Sequence, residues 1–395
     1  MSIKWYGENH SIGGHVTNTI DYLIPLVYSA ITGVKPDLPD DIGNRFSNII
    51  DVACRHEIAH LAAMALIKYN LITDEKQVEI ARKLVYDASY RDIKNNYTYN
   101  LASKVLTDGK ICFIPLKGVI LKELYPESFM RTSCDTDILV KKQDFERAVS
   151  LFQNIGFEID GDLNFHDVSL IYDDSNLELH FSICENNKKL DYVLKDVWDY
   201  SVKSENYKYL ETNDFFVFHH IAHMAYHFLA GGCGIRPFLD YYVLKKNNYF
   251  DEQEVVKLCE KAKIGDFYKA VKMLTDVWFG KSEHTEFTRR IEKYILTGGA
   301  YGYFPNNAAA YTVMNGGKIK YVLSLAFPKY SNMRVLYPIL NRFPAMLPFF
   351  YIYRVYEKLF GKSSERAKER YKVIKGQGKD FVREVASLIK ELKLN

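Results

Sequence analysis

The pattern of apolar residues changes twice along this chain, and these changes limit the folds open to it. Residues 1–108 mostly show the spacing of amphipathic helices, and Ile49 to Tyr69 is predicted to form one helix. The chain from Asp214 onward is helical in pattern again. Between these parts, residues 109–185 combine short runs rich in β-formers with helical stretches. The sequence therefore predicts an α+β fold, in which a small mixed sheet with helices is embedded between N- and C-terminal helical regions.

The central part is predicted to run strand, helix, strand, helix and then three strands. ICFIPL and DTDILV are the first two strands, and DFERAVSLFQNIG is a helix that Asp144 can cap and Gly156 can end. FEI, VSLIY and LELHFSI follow as strands, with a hairpin turn between the last two. We set the three regions at 1–108, 109–200 and 201–395.

The C-terminal region contains several predicted helices and one predicted loop. The helices cover 215–229, 237–246, 252–262 and 266–279, and the Gly- and Asn-rich stretch around 298–317 is predicted to be a loop. Residues 354–395 hold 12 basic and 6 acidic residues. Two interpretations of this tail stay open: a solvated pair of amphipathic helices, or a surface for a polyanion or an anionic membrane.

Composition narrows the cellular setting and the class of partner. The 52 basic and 49 acidic residues give a net charge of +3, so no global field favours nucleic acid. The six cysteines include no CxxC pair, which favours reduced thiols in a cytoplasmic protein. Residues 1–10 lack the pattern of a signal peptide, and no apolar run of about 18 residues predicts a membrane span.

The most informative stretch for chemistry is Asp135-Thr136-Asp137. Residues i and i+2 of a strand point to one face, so both carboxylates project side by side. Adjacent carboxylates repel each other and normally need a cation. Hard oxygen ligands at this spacing suit Mg²⁺ or Mn²⁺. Glu178 on a later strand offers a third acid, and His180 shares its face, while Leu177 and Leu179 take the other.

A second group of residues is suited to phosphate binding. Lys117-Gly118 follows a predicted strand and precedes a predicted helix, so backbone N–H groups can approach a phosphate there. Lys117 would add a point charge, and Arg131 could bind a phosphate through two N–H groups. A glycine turn, paired aspartates and a third acid are the parts that metal-assisted nucleotidyl transfer needs.

These residues carry a resemblance to a known family. IPLKGVILKELYP, MRTSCDTDILVKKQDFERAVSLFQNIGFEI and LELHFSI resemble the bacterial uncharacterised nucleotidyltransferase family of the polymerase-β-like superfamily. The resemblance extends to HHIAHMAYHF, RPFLDYYVL and the C-terminal FPKYSNMRVLYPIL, LPFFYIYRVYEKLF. It implies a palm-like core flanked by helices that transfers a nucleoside monophosphate from a nucleoside triphosphate to an acceptor, which the resemblance does not identify.

The resemblance also assigns residues. Asp135 and Asp137 match the metal-binding pair, Glu178 matches the third acid, and Lys117-Gly118 matches the glycine turn. The wider superfamily usually has Gly-Gly or Gly-Ser at this turn, whereas Val119 follows Gly118 here. The hydroxyl that would touch a triphosphate is therefore absent from this position. This departure keeps a second hypothesis open, a non-catalytic nucleotide-binding or regulatory protein on the same fold.

Two histidine patterns need separate interpretations. His56-Glu57-Ile58-Ala59-His60 matches HExxH, which on a helix places two histidines on one face and predicts a zinc hydrolase as a less favoured alternative. His219, His223 and His227 form a stripe on one face of a predicted helix. This stripe is either a hydrogen-bonded core face or a surface over the α/β site. The family resemblance raises the functional interpretation for His223, His227 and, further along, Asp240, as nucleotide-binding candidates.

Overall fold

A computed structural model describes residues 12–160, 166–173, 175–361 and 364–394. The signal-peptide prediction concerns residues 1–10, which lie outside the described residues, and the predicted hairpin turn at 173–176 is described except for residue 174. None of the described helices is long and apolar enough to cross a membrane.

One mixed sheet of seven strands forms the centre of the molecule, in the order β3-β4-β5-β2-β1-β7-β6. The strands are β1 Phe113–Pro115, β2 Thr136–Val140, β3 Glu158–Asp160, β4 Asp167–Tyr172, β5 Ser175–His180, β6 Ser201–Glu205 and β7 Lys208–Glu211. β2 runs parallel to β5 and antiparallel to β1, and β1 runs parallel to β7. β4 is antiparallel to both β3 and β5, and β6 is antiparallel to β7. The five strands predicted within 109–185 are all present, and β6 and β7 add a hairpin that the sequence patterns did not indicate.

The N-terminal part of the described chain consists of four helices. They are α1 Ile12–Thr32, α2 Phe46–Arg55, α3 Ala59–Lys68 and α4 Glu75–Asp108. The prediction of one helix from Ile49 to Tyr69 is wrong, because α2 ends before the HExxH residues and α3 begins inside them. The break occurs at Glu57, which has a φ of +58° that a continuous right-handed helix does not allow.

Three short helices lie within the sheet region. They are α5 Gly118–Leu121, α6 Phe145–Asn154 and α7 Lys188–Leu194. The sheet extends past the predicted boundary at residue 200, because β6 and β7 lie within 201–211. From Asn213 onward the described residues form α8 Asn213–Leu229, α9 Arg236–Lys246, α10 Glu252–Lys261, α11 Gly265–Phe279, α12 Glu286–Gly298, α13 Phe304–Met314, α14 Lys318–Ala326, α15 Tyr330–Leu336, α16 Leu347–Phe360, α17 Ser364–Gly376 and α18 Lys379–Glu391. The four helices predicted between 215 and 279 are confirmed as α8 to α11.

The loop predicted around 298–317 is mostly a helix, α13. Pro305 stands in the first turn, where its missing N–H costs nothing, and three consecutive alanines follow. Those alanines are buried, so the segment contributes to packing as well as having a high helix propensity. The glycines that suggested a loop lie outside this helix, and Asn306 and Asn307 lie in its first turn, so none of them interrupts its centre.

Two hydrophobic cores meet at the sheet, and strand alternation separates them. Ile138 and Val140 of β2 belong to a core with Leu177 and Leu179 of β5. Leu139 belongs to the larger core built from N- and C-terminal helices. Because successive strand residues point to opposite faces, Asp137, Glu178 and His180 lie on the face of the larger, helical core. The fold is α+β with helices flanking the sheet, as predicted.

Candidate functional site

The site is built on two neighbouring parallel strands. In the pairing of β2 with β5, Asp137 lies opposite Glu178 and Leu139 lies opposite His180. Asp135 immediately precedes β2. The alternation that sends the leucines of β5 into one core therefore presents Asp137 and Glu178 on the other face of the sheet, with Asp135 directly before β2. We call Asp135, Asp137 and Glu178 the carboxylate site.

Electrostatic repulsion within the carboxylate site is visible in its pKa values. Burial, together with the negative charge of Asp137, raises the pKa of Asp135 to about 6. Burial and the charges of Asp137 and Asp135 raise the pKa of Glu178 to about 7. Burial alone would also raise the pKa of Asp137, but the hydrogen bond and positive charge of His180 outweigh it and lower the pKa to about 2. Such divergence among neighbouring acids is common at functional sites and also occurs in structural clusters.

His180 fixes the orientation of Asp137. Its Nε2 lies 3.1 Å from Oδ1 of Asp137 and 3.7 Å from Oε2 of Glu178. Burial tends to lower the pKa of His180, but the contacts with Asp137 outweigh that effect and raise it. The structure therefore places this nucleotide-binding candidate beside the acids, as a partner that holds a carboxylate.

Two overlapping sets of side chains have a geometry that could hold a metal ion. Ligand atoms of Asp137, Glu178 and His180 all lie within 4.8 Å of one another. The same is true of His166, Asp167 and His180. The first set, with Asp135 beside it, offers the hard oxygen ligands that Mg²⁺ and Mn²⁺ prefer. The second set is richer in nitrogen and shares His180 with the first.

The Lys117-Gly118 turn connects β1 to the single turn of α5 and lies next to the carboxylate site. Lys117 has a φ of +34°, a conformation that is uncommon for a residue with a side chain. A Cβ added to Gly118 would lie only 2.7 Å from Oγ of Ser133, so glycine permits this close approach. Ser133 thus brings a hydroxyl against the turn from another segment. Gly118, Ser133 and Asp135 contribute to the lining of one shallow cleft.

The histidine stripe of α8 divides into two roles. His219 is buried, with Nδ1 3.0 Å from Oε1 of Glu211, which is a core contact. His223 is only partly buried and lies between two charged groups. Its Nδ1 is 2.8 Å from Oε1 of Glu185 and 3.1 Å from Nζ of Lys117. His227 packs edge-on against it with ring centroids 4.3 Å apart, so both partly buried histidines adjoin the phosphate candidate Lys117.

Arg131 and Asp240 pair with each other, and Arg131 also lines the cleft at the glycine turn, with Nη1 3.8 Å from the position of a Cβ on Gly118. Nε of Arg131 donates to Oδ1 of Asp240 at 2.7 Å, and the hydroxyl of Tyr125 donates to the same oxygen at 2.7 Å. Asp240 is fully buried and Arg131 is 8% exposed. Nη1 of Arg131 also donates to the carbonyl of Thr132 at 2.8 Å. These contacts form a buried ion pair, and the binding of phosphate or nucleotide by Arg131 and Asp240 stays a prediction.

The HExxH segment does not form a zinc site, so the zinc hydrolase alternative is wrong. Its two histidines do not share a helix face, because the chain breaks at Glu57 between α2 and α3. Nε2 of His60 is 2.9 Å from the carbonyl oxygen of Met130, and His56 is completely buried. Glu57 accepts a hydrogen bond from Arg236. No metal-ligand group occurs at this segment among the residues whose placement is described.

The HExxH segment instead supports the loop that leads into β2. Arg236, which pairs with Glu57, also donates to the carbonyl of Thr132 at 3.3 Å, and Sγ of Cys134 donates to Oε1 of Glu57 at 3.5 Å. Together with the His60 contact to Met130, these bonds hold residues 130–134 directly before Asp135. The motif therefore positions the backbone of the carboxylate site.

Sequence patterns did not single out Glu185, Ser133 or the Glu57–Arg236 pair. Glu185 lies beyond the last predicted strand in a polar stretch without periodicity, and Ser133 belongs to no motif. A weak signal for Ser133 was available, since it lies two residues before Asp135 and the usual hydroxyl is missing at Val119. Contacts between residues over 100 positions apart, such as Lys117 with His223, can be identified only once the fold is known.

The sequence was compared with models of known protein families, with curated proteins and with solved structures. The model of the family described as "Uncharacterised nucleotidyltransferase" matches residues 43–280, more than half of the chain. No curated protein and no solved structure matches the chain significantly. The matched segment contains the carboxylate site, the glycine turn, the HExxH segment and the histidine stripe. The chain belongs to the uncharacterised nucleotidyltransferase family.

Proposed function

We propose that this chain transfers a nucleoside monophosphate from a nucleoside triphosphate to an acceptor hydroxyl or phosphate, and that Mg²⁺ or Mn²⁺ is required. The observation that carries the proposal is the placement of Asp135, Asp137 and Glu178 on or directly before two paired strands, where burial and their mutual repulsion raise the pKa of Asp135 and Glu178. A cation would relieve that repulsion.

The chain's own residues have distinct parts in the proposed reaction. Asp135 and Asp137 bind the cation, and His180 holds Asp137 in the required orientation. Lys117 and the backbone at Gly118 bind the triphosphate, and His223 and His227 border that position. A bound divalent cation would stabilise charge on the triphosphate and activate the attacking oxygen.

Glu178 is suited to take the proton of the acceptor. Burial and the charges of Asp137 and Asp135 raise the pKa of Glu178 to about 7 without metal, and a bound cation would lower it, so that the ionised carboxylate can accept a proton near neutral pH. The acceptor oxygen forms a bond to the α-phosphorus, the bond from that phosphorus to the bridging oxygen breaks, and pyrophosphate leaves. The proton of the acceptor goes to Glu178 and then to water.

The test is calorimetric titration of ATP, CTP, GTP and UTP, each with and without Mg²⁺. The site variant is Asp135→Asn/Asp137→Asn, which keeps the shape of both side chains. The matched control is Glu158→Gln/Asp160→Asn, a second pair of acids at i and i+2 in the same sheet, on the exposed strand β3. We expect metal-dependent binding of at least one nucleotide by the wild type and the control, and a loss of about 100-fold or more in the site variant.

Two outcomes would count against this proposal. Absence of nucleotide binding by folded wild type would contradict nucleotide-dependent transfer altogether. Binding that does not depend on metal or on the two aspartates would favour the non-catalytic hypothesis, which the departure at Val119 keeps open.

A further inference from the structure

Exposed apolar side chains are concentrated in one part of the C-terminal region. Of the 31 large hydrophobic side chains that are exposed among the described residues, 15 lie within residues 318–361. Single exposed apolar residues are ordinary on protein surfaces, whereas a cluster of this density indicates an interaction site. We call residues 318–361, which contain α14, α15 and α16, the apolar segment.

The helix α16 shows the feature most clearly, because its apolar face is turned outward. Its exposed side chains recur at helical spacing along one face: Phe349, Ile352, Tyr353, Tyr356, Leu359 and Phe360. Phe349, Ile352 and Phe360 are each about 70% exposed, at 69%, 70% and 73%. No residue of this 14-residue helix is buried. A helix of a globular protein normally turns such a stripe toward the core.

The other side of α16 is held by neighbouring elements, so the outward direction of the stripe is fixed by packing. The ring of Phe350 stacks against Tyr337 with centroids 4.6 Å apart, and the hydroxyl of Tyr351 donates to the carbonyl of Pro328 at 2.6 Å. α16 also packs against α14 and α17. The stripe is therefore the unpartnered face of an ordered helix.

The charges of the apolar segment identify the kind of partner. Residues 318–361 contain seven basic side chains and a single acid, Glu357. The basic residues are Lys318, Lys320, Lys329, Arg334, Arg342, Arg354 and Lys358. A symmetric contact with a second copy of the chain would bring two such positive surfaces together, which is unfavourable. An anionic surface complements both the charge and the apolar stripe.

We propose that the apolar segment docks onto an anionic lipid bilayer, with α16 lying in the plane of the interface. Phe349, Ile352, Leu359 and Phe360 would enter the boundary between headgroups and acyl chains, as the apolar face of an interfacial helix does. Tyrosines such as Tyr353 and Tyr356 are suited to this depth because they have an apolar ring and a polar hydroxyl. The basic side chains would contact acidic headgroups.

The test is co-sedimentation of the full chain with two kinds of vesicle, phosphatidylcholine alone and phosphatidylcholine mixed with phosphatidylglycerol. The stripe variant is Phe349→Ser/Ile352→Ser/Phe360→Ser. We expect the wild type to bind the anionic vesicles more tightly than the neutral ones, and added salt to weaken that binding. The stripe variant should lose about tenfold or more of the binding.

A control variant removes the same kind of exposed side chain elsewhere. Tyr86, Tyr90 and Ile93 on α4 are 69%, 54% and 67% exposed. Tyr86→Ser/Tyr90→Ser/Ile93→Ser should bind vesicles like the wild type. Because all substituted side chains are exposed, both variants should fold, and circular dichroism checks this. A charge variant, Lys320→Gln/Arg334→Gln/Arg342→Gln, should lose about tenfold or more of the binding to anionic vesicles.

Three results would overturn the proposal. The first is no sedimentation of the wild type with anionic vesicles. The second is an equal loss of binding in the stripe variant and the α4 control. The third is a dimer in light scattering that the stripe variant converts to a monomer, without any vesicle binding, since this would assign the surface to a second copy of the chain.

Discussion

The carboxylate site and the neighbouring ion-pair network differ in whether their buried acids have basic partners. The network consists of Glu57 with Arg236 and Asp240 with Arg131, and each acid in it has a basic partner within the protein. The carboxylate site gathers three acids around a single histidine contact, and two of its pKa values are raised. Cys134, which touches Glu57 and precedes Asp135, connects the two regions. Charge that is neutralised internally stabilises the fold, whereas the unbalanced charge of the three acids is the reason for proposing a cation there.

This difference separates two sequence motifs, HExxH and Asp-x-Asp, that both suggest a metal site. HExxH is the longer and more specific pattern, yet its acid is paired with arginine and its histidines are buried. Asp-x-Asp is short and common, yet the pairing of β2 with β5 supplies the third acid that makes it a site. The difference between them is that each acid of the ion-pair network has an arginine partner, whereas Asp137 and Glu178 of the carboxylate site share the contacts of His180.

Breaking the ion-pair network should have the largest effect on stability. Asp240→Asn leaves the buried guanidinium of Arg131 without a counter-charge, and removing one partner of a buried pair costs about 3–5 kcal/mol. The free energy of unfolding, measured by urea denaturation, should fall by that amount. Asp87→Asn on the exposed Lys83–Asp87 pair should change it by less than about 1 kcal/mol. Equal effects of the two substitutions would contradict the structural role of Asp240.

Titrating the carboxylate site should have a smaller effect, and here the gain of negative charge, rather than its removal, destabilises the fold. A group with a raised pKa stabilises the folded state below its ordinary pKa, and that contribution is lost as the pH rises through the folded value. For Asp135 and Glu178 these folded values are about 6 and about 7. Metal-free protein should therefore lose about 1–3 kcal/mol of stability from this site between about pH 4 and pH 7. Mg²⁺ should restore stability at the alkaline end.

The measurement is the difference in unfolding free energy between the wild type and Asp135→Asn/Glu178→Gln across this range. A difference is needed because burial lowers the pKa values of His56 and His60 to about 3 and about 4. Buried histidines with lowered pKa values make the free energy of unfolding rise as the pH rises from about 3 to about 6.5. A wild type and variant with parallel pH profiles, and equal responses to Mg²⁺, would show that the three acids do not repel one another.

Much of the fold could be predicted from the sequence, and the failures share a physical cause. Strand alternation in DTDILV and LELHFSI placed Asp137 and Glu178 on one face, because that periodicity is local. The break at Glu57 and the helix α13 depend on tertiary contacts: the first on Arg236, and the second on burial of the alanines at 308–310. The hairpin β6–β7 has mostly exposed or half-exposed positions, so it lacked an apolar pattern to recognise.

For the site, the acids and Lys117 could be predicted from the sequence, but their partners could not. Arg131 was a candidate because its guanidinium can bind a phosphate, and Asp240 was a candidate because the family resemblance suggested it. Only the fold shows that they neutralise each other. The roles of all these residues in catalysis, and the need for Mg²⁺, remain predictions that the binding experiment tests.

The smallest expected effect concerns the glycine turn, where the group tested is the uncharged hydroxyl of Ser133. Val119 stands where the superfamily that the chain resembles usually has glycine or serine. Ser133 approaches Gly118 from the loop of residues 130–134. If Ser133 supplies the missing hydroxyl, Ser133→Ala should weaken binding of the triphosphate by about fivefold, the value of one neutral hydrogen bond of about 1 kcal/mol. Ser133→Ala/Val119→Ser should recover part of that loss, because it restores a hydroxyl at the adjoining position. Calorimetry of the nucleotide that the wild type binds gives both values. Unchanged affinity in Ser133→Ala would leave phosphate binding to Lys117 and the backbone of the turn.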